Sequence, residues 1–218
     1  MGRDAAARGL SRVQGLPLSK LFVGLTGGVA SGKSTVARAF AALHPGCVVD
    51  ADVAARAVVA PGTEGLAAVV AAFGPGVLQA DGQLERAALR RTVFADAAAR
   101  KQLEALLHPR IRQWMLAQAE QAKSPYVVFD IPLLTESGGR VAWPMLHRVL
   151  VVDVPVATQR ARLLARDGVD ADLADRMMGA QATRAQRLAL ASDVLVNMGT
   201  EAELAQAVGR LDARLLAR

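Results

Sequence analysis

Leu21-Phe22-Val23-Gly24-Leu25-Thr26-Gly27-Gly28-Val29-Ala30-Ser31-Gly32-Lys33-Ser34 is the stretch that decides how the chain folds. Its first five residues are a short apolar run closed by Thr26-Gly27-Gly28, which has the length and composition of a strand buried on both faces. Gly27 to Ser34 then match the spacing G-x-x-x-x-G-K-[ST]. After Gly32 the apolar residues Val36, Phe40 and Leu43 recur at i, i+4 and i+7, which predicts a helix with all three on one face, stopping at His44-Pro45-Gly46. Strand, glycine loop and helix in this order form an anion cradle. The glycines let successive N–H groups converge on phosphate oxygens, and the helix turns its positive end on the same point. Lys33 is placed to reach the β/γ-phosphates and the Ser34 hydroxyl to hold Mg2+, so the pattern predicts a nucleoside triphosphate site.

Outward from this stretch, Cys47-Val48-Val49, Tyr126-Val127-Val128-Phe129 and Val149-Leu150-Val151-Val152 are further short apolar runs, with Asp193-Val194-Leu195-Val196 a weaker fifth. They are continuous rather than alternating, as parallel strands are, and helical periodicity fills the gaps. The class predicted is therefore α/β with a five-stranded parallel sheet flanked by helices. About 75 residues separate the second and third runs, far more than one crossover helix needs. Helices are predicted there near 64–73, 83–94, 97–107 and 109–123, with Asp96 as an N-cap and Pro109 at a first helical position. This marks about 53–124 as a helical, acceptor-binding insertion. The arginine-dense stretch of about 160–187 reads as a lid, and Leu204, Val208, Leu211 and Leu215 predict a last helix packed on the core. Residues 21–218 thus read as one domain. Residues 1–20 have no apolar h-region and read as a flexible leader rather than a secretory signal, with an Ala/Arg bias faintly like a transit peptide.

With 218 residues, 52% hydrophobic and 21% charged, the chain has material for a sizeable core. Only four of its 26 basic residues are lysine, and arginine suits bidentate contact with phosphate. A net charge of +6 fits an anionic small molecule or a nucleic acid equally well. No basic cluster is longer than Arg90-Arg91 and aromatic residues are 4%, which argues against nucleic acid. No stretch of 18 apolar residues exists to span a membrane. The single Cys47 excludes an intrachain disulfide and a four-cysteine zinc site, and a reducing, cytoplasmic setting is the simplest expectation.

The D-x-x-G and N-K-x-D strings of a GTPase do not occur. A small-molecule kinase needs a phosphate loop, an acceptor pocket and a mobile cover that excludes water, and the insertion and the 160–187 stretch meet the last two needs. A kinase acting on a nucleotide or sugar-like metabolite, or a nucleotide-gated nucleic-acid-binding protein, are the alternatives.

An ordered series of pieces narrows this. Gly24-Leu25-Thr26-Gly27-Gly28 leads into the loop, and Asp50-Ala51-Asp52 with Ala55-Arg56 follows the second strand. His108-Pro109 with Ile111-Arg112, Pro132-Leu133-Leu134 with Glu136, Gln181-Ala182-Thr183-Arg184, Arg187, and Asp193 with Asn197 and Gly199 complete the series. In order and spacing it resembles the dephospho-CoA kinases, from about Leu21 to Thr200. Ala30 stands where glycine is common in such loops, which is tolerable if its φ stays below zero. The resemblance implies the P-loop kinase fold, ATP and Mg2+, and phosphorylation of the ribose 3′-hydroxyl of dephospho-CoA to CoA; a monomer is favoured.

It also implies site residues. Gly28, Ala30, Ser31, Gly32, Lys33, Ser34 and Thr35 hold the nucleotide, with Asn197 in the loop near the adenine and Arg184 among the lid-side ATP contacts. Asp52 is the general base or hydroxyl-orienting residue; read without the resemblance it is also a plausible helix cap. Asp50 reads as structural. Asp130, at the third strand's end, either orients the water shell of Mg2+ beside Ser34 or caps a loop. Among the substrate-binding candidates, His108 contacts the CoA moiety or is a helix-boundary residue, and Arg112 contacts a phosphate or is a solvated residue. Arg160, Arg162 and Arg166 do not share one face, so at least one belongs to the surface. His44, His147, Trp114 and Trp143 read as structural.

Overall fold

The computed structural model describes residues 20–166 and 168–217. Five strands form one parallel sheet: β1 (Leu21–Gly27), β2 (Val48–Asp50), β3 (Tyr126–Asp130), β4 (Arg148–Asp153) and β5 (Asp193–Val196), in the order β2-β3-β1-β4-β5. Every residue of β1 is buried, as its central place requires. Side chains alternate between two cores. Leu21, Val23, Leu25, Tyr126, Val128, Leu150 and Val152 meet α1 (Lys33–Leu43) and the last helix on one face. Phe22, Val49, Val127, Phe129, Val149 and Val151 face the other way.

Between β2 and β3 lie α2 (Ala51–Ala57), α3 (Glu64–Phe73), a 3-10 turn (Pro75–Val77), α4 (Arg86–Ala95) and α5 (Ala97–Gln121). They carry their own apolar cluster of Val58, Val59, Leu66, Val69, Val77, Leu84 and Leu89. Asp96 caps α5, its Oδ1 accepting the N–H of Ala98 at 2.7 Å. The two helices expected at 97–107 and 109–123 are this one helix, with Pro109 inside it rather than at a start. Proline removes one N–H and costs ~3 kcal/mol in a helix interior. Here packing overrides it: Leu103, Leu107, Ile111 and Trp114 bind the insertion cluster, while Met115 and Ala119, farther along the same helix, bind the sheet. Arg110 Nη1 also donates to the Leu106 carbonyl at 2.6 Å, serving the backbone beside the break.

After β3 come α6 (Gly139–Ala142), and after β4 α7 (Val156–Leu164), α8 (Ala171–Gly179) and α9 (Arg184–Ala189); α10 (Glu201–Leu216) closes the chain. Leu204, Val208, Leu211 and Leu215 are all buried, as their spacing predicts. Leu43 is not: it is 45% exposed, because α1 ends there and only Val36 and Phe40 reach the sheet. The expected leader lies outside the described residues except Lys20, whose ammonium donates to the Ala119 and Ala122 carbonyls at the end of α5.

Candidate active site

At the C-terminal end of β1 the glycine loop borders a cleft of about 430 Å3, into which Lys33, Ser34, Thr35, Arg38, Arg166 and Gln181 also face. Gly32 caps α1 with φ of 91°, and a Cβ there would lie 2.1 Å from Asn197 Nδ2, so only glycine fits. Ala30 has φ of 59°, so the condition of a negative φ under which alanine is easily tolerated there is not met, and it is the one non-glycine residue with positive φ among those described. The curl that turns the loop's N–H groups inward demands this left-handed residue, at a cost of ~1–2 kcal/mol for a side chain with a Cβ.

Lys33 Nζ lies 2.5 Å from Asp130 Oδ1, a carboxylate only 5% exposed. Burial pushes the Asp130 carboxyl above its ordinary value; the Lys33 ammonium opposes this, and the charges of Asp50 and Asp52 add to it. Asp50 at the end of β2 pairs in register with Asp130 at the end of β3. The cap of α2 is Asp50, whose Oδ1 accepts the N–H groups of Asp52 at 2.7 Å and Val53 at 3.3 Å. Asp52 is thus freed from the capping role and stands exposed on the first turn. His108 and Arg112 are half-buried on α5, one turn apart, and the same side of the helix continues inward to Met115 against the sheet.

The segments after β4 and β5 grip the loop from behind. Asn197, itself buried, donates from Nδ2 to the Ser31 carbonyl at 2.7 Å, and Arg162 Nη2 donates to the Asn197 carbonyl at 2.9 Å. Arg162 Nη1 reaches the Ala30 carbonyl at 3.5 Å. Arg184 forms a fork on the buried Asp153, with Nε 2.9 Å from Oδ1 and Nη2 2.7 Å from Oδ2. Arg160 pairs instead with exposed Asp175, away from the loop, and Arg166 is exposed at the cleft's edge.

Sequence reasoning placed Arg187 in the ordered series but gave it no role, and it did not single out Asp153; both stand behind the loop. Arg187 is 7% exposed, its Nη1 donates to the Ala182 carbonyl, and a Cβ on Gly28 would stand 2.7 Å from its Nη2. Burial lowers its pKa, while Glu136 and Asp153 oppose that shift. Asp153 ends a strand as Asp130 does, and that shared position was the available signal. His147 and His44 are structural, as expected: Nδ1 of the first accepts the Phe22 N–H at 3.0 Å, and Nε2 of the second lies 2.8 Å from Asp212. Trp143 is buried core.

A larger groove of about 670 Å3 lies between β5 and α10, lined by Val194, Val196, Ala207, Arg210 and Arg214, away from the glycine loop. Among the described residues no three His, Cys, Asp or Glu cluster at metal-binding distance. Ser34 and Asp130 are nevertheless hard oxygen donors of the type that Mg2+ takes alongside phosphates and water, so these residues fit that ion.

A family model described as dephospho-CoA kinase matches residues 21–203, through the loop, the insertion and the segments behind the loop. The chain belongs to the dephospho-CoA kinase family. Curated dephospho-CoA kinases of Xanthomonas oryzae and Xylella fastidiosa are 56% identical over 201 residues and 51% identical over 197 residues. These alignments cover 92% of this chain and 98% of the Xanthomonas protein, and 90% and 94% for Xylella. A crystal structure from Thermus thermophilus superposes with a TM-score of 0.75 at 31% identity, covering 90% of this chain and 98% of that one. A dephospho-CoA kinase from Campylobacter jejuni shares the family's fold, with a TM-score of 0.66 at 23% identity over 90% of this chain and 97% of its own. No described helix is long and apolar enough to cross a membrane.

Proposed function

We propose that the chain transfers the γ-phosphoryl group of ATP to the ribose 3′-hydroxyl of dephospho-CoA, giving CoA and ADP. The observation that carries this reading is the family match across residues 21–203, which runs unbroken from the phosphate loop through the insertion to the lid segment. Gly28 and Ala30 to Thr35 supply the N–H groups and side chains for the nucleotide phosphates. Lys33 leaves Asp130 for the β/γ-phosphates when nucleotide enters, exchanging one anion for a more highly charged one. Asp52 accepts the hydroxyl proton as the 3′-oxygen forms its bond to the γ-phosphorus; the bond from that phosphorus to the β-phosphate oxygen breaks and ADP leaves. His108 and Arg112, on the insertion helix, hold the CoA moiety. Arg184, with Arg187 beside Gly28, offers guanidinium charge to the phosphates, and Asn197 positions the loop. Mg2+, held by the Ser34 hydroxyl with Asp130, would neutralise charge on the phosphates.

The insertion of 53–124 is assigned to acceptor binding and 160–187 to the lid. A monomeric cytoplasmic enzyme with neither nucleic acid nor membrane as partner suits the unpaired Cys47 and the scarcity of stacking aromatics. The test is to incubate the protein with ATP, Mg2+ and a panel of acceptors and follow ADP release. Dephospho-CoA stimulates release under this reading; stimulation by a nucleoside monophosphate alone would overturn it.

A further inference from the structure

Val29 is held by both of its peptide groups. Its N–H donates to Gln181 Oε1 at 2.8 Å, and its carbonyl accepts from Gln159 Nε2 at 2.8 Å. The two glutamines come from opposite ends of the expected lid: Gln159 lies on α7 at its outgoing end, and Gln181 precedes α9 at its returning end. Next to Val29 stands Ala30, in the left-handed conformation that an alanine adopts only when its surroundings hold it there. Gln159 is 3% exposed and does not line the cleft, so it cannot touch a nucleotide. With Gln159 on Val29, Arg162 on Ala30 and Asn197 on Ser31, three consecutive loop carbonyls are drawn outward by three side chains. Turning the Val29 and Ser31 carbonyls outward turns the N–H groups of Ala30 and Gly32 the other way, toward the cleft, while the Ser31 N–H closes the turn on the Gly28 carbonyl at 3.0 Å.

From this geometry we infer that Gln159 and Gln181 are positioning residues, which clasp Val29 so that Ala30 keeps its positive φ and the loop amides stay aimed at phosphate. The inference rests on the reading of the loop as the ATP site. It makes the lid and the loop one mechanical unit: a shift of either lid root is felt at the same loop residue.

Gln159→Met tests it, keeping the length of the side chain and removing its donor. Binding of a fluorescent ATP analogue to the full chain is measured beside steady-state turnover and the melting temperature. Leaving the half-buried Val29 carbonyl unpartnered predicts analogue binding weaker by about 5- to 50-fold, with KM for dephospho-CoA unchanged and the melt within a few degrees. In the double variant with Ala30→Gly most of that loss returns, because glycine takes positive φ without being held. Gln181→Leu, acting on the other peptide group, shows the same split between substrates; because Gln181 faces the cleft, rescue of its loss by Ala30→Gly, which a direct nucleotide contact would not give, carries the test if Gln159→Met fails to fold. Unchanged analogue affinity in the variant overturns the inference. So does equal weakening of both substrates with a lowered melt, which marks a merely structural residue, and so does a loss that Ala30→Gly leaves intact. Failure of the wild-type chain to bind the analogue would instead overturn the reading of the site.

Discussion

Asp52→Asn separates chemistry from stability at this site because Asp50 has taken the capping role. Asp52 is exposed, and among the described residues its carboxylate accepts no hydrogen bond and forms no ion pair. What the substitution removes from the fold is the interaction of a negative charge with the first turn of α2, worth ~0.3–1 kcal/mol. For a chain of this size that moves the melting temperature by at most about 4 °C. What it removes from the reaction is the group that takes the hydroxyl proton, and positioned bases contribute ~10²–10⁴-fold, so kcat is expected to fall within that range. Nucleotide affinity stays near the wild-type value, since the loop amides and Lys33 bind the phosphates without Asp52. ADP release with saturating dephospho-CoA gives kcat, fluorescence titration the nucleotide affinity and calorimetry the melt. As a contrast, Asp50→Ala loses a cap worth ~0.5–2 kcal/mol and lowers the melt more than Asp52→Asn does. Near-normal kcat in Asp52→Asn would refute the assignment and turn attention to Asp130.

Three further outcomes are expected. Gly28→Ala places a Cβ 2.1 Å from Gln159 Nε2 and 2.7 Å from Arg187 Nη2, so both side chains must move and kcat with ATP should drop by about tenfold or more, read by ADP release. Burial pushes the Cys47 thiol up to about 11, so iodoacetamide at mildly alkaline pH should leave it unmodified in the native protein and alkylate it in denaturant, as mass spectrometry would show. The Asp130 carboxyl binds its proton more readily in the folded chain than its ordinary 3.8 allows, so its contribution to stability is most favourable at low pH and is lost as pH rises through the folded value. Denaturant melts across that range should show this slope in the wild type and its loss in Asp130→Asn.

The amino-acid sequence by itself determined the features that depend on neighbours along the chain. The loop at Gly27–Ser34, the five apolar strands, the helix at Glu64–Phe73, the Asp96 cap and the buried stripe of α10 all follow from spacing, glycine placement and capping chemistry within a few residues. The acidic residue beside the loop and the arginine-dense segment were legible as types, and the ordered series of pieces was enough to indicate the family. Only the tertiary structure decided what depends on distant partners. Packing against two cores at once carries α5 straight through Pro109, which local rules would have made a boundary. The left-handed Ala30 is set by side chains more than a hundred residues away, not by its own preference. Lys33 meets Asp130 and Arg184 meets Asp153 because the parallel sheet brings the C-terminal ends of β1, β3 and β4 to one edge. A residue's chemistry is written in its type. Which charge it neutralises, and which conformation it is held in, is settled when the chain closes around it and buried polar groups must find partners.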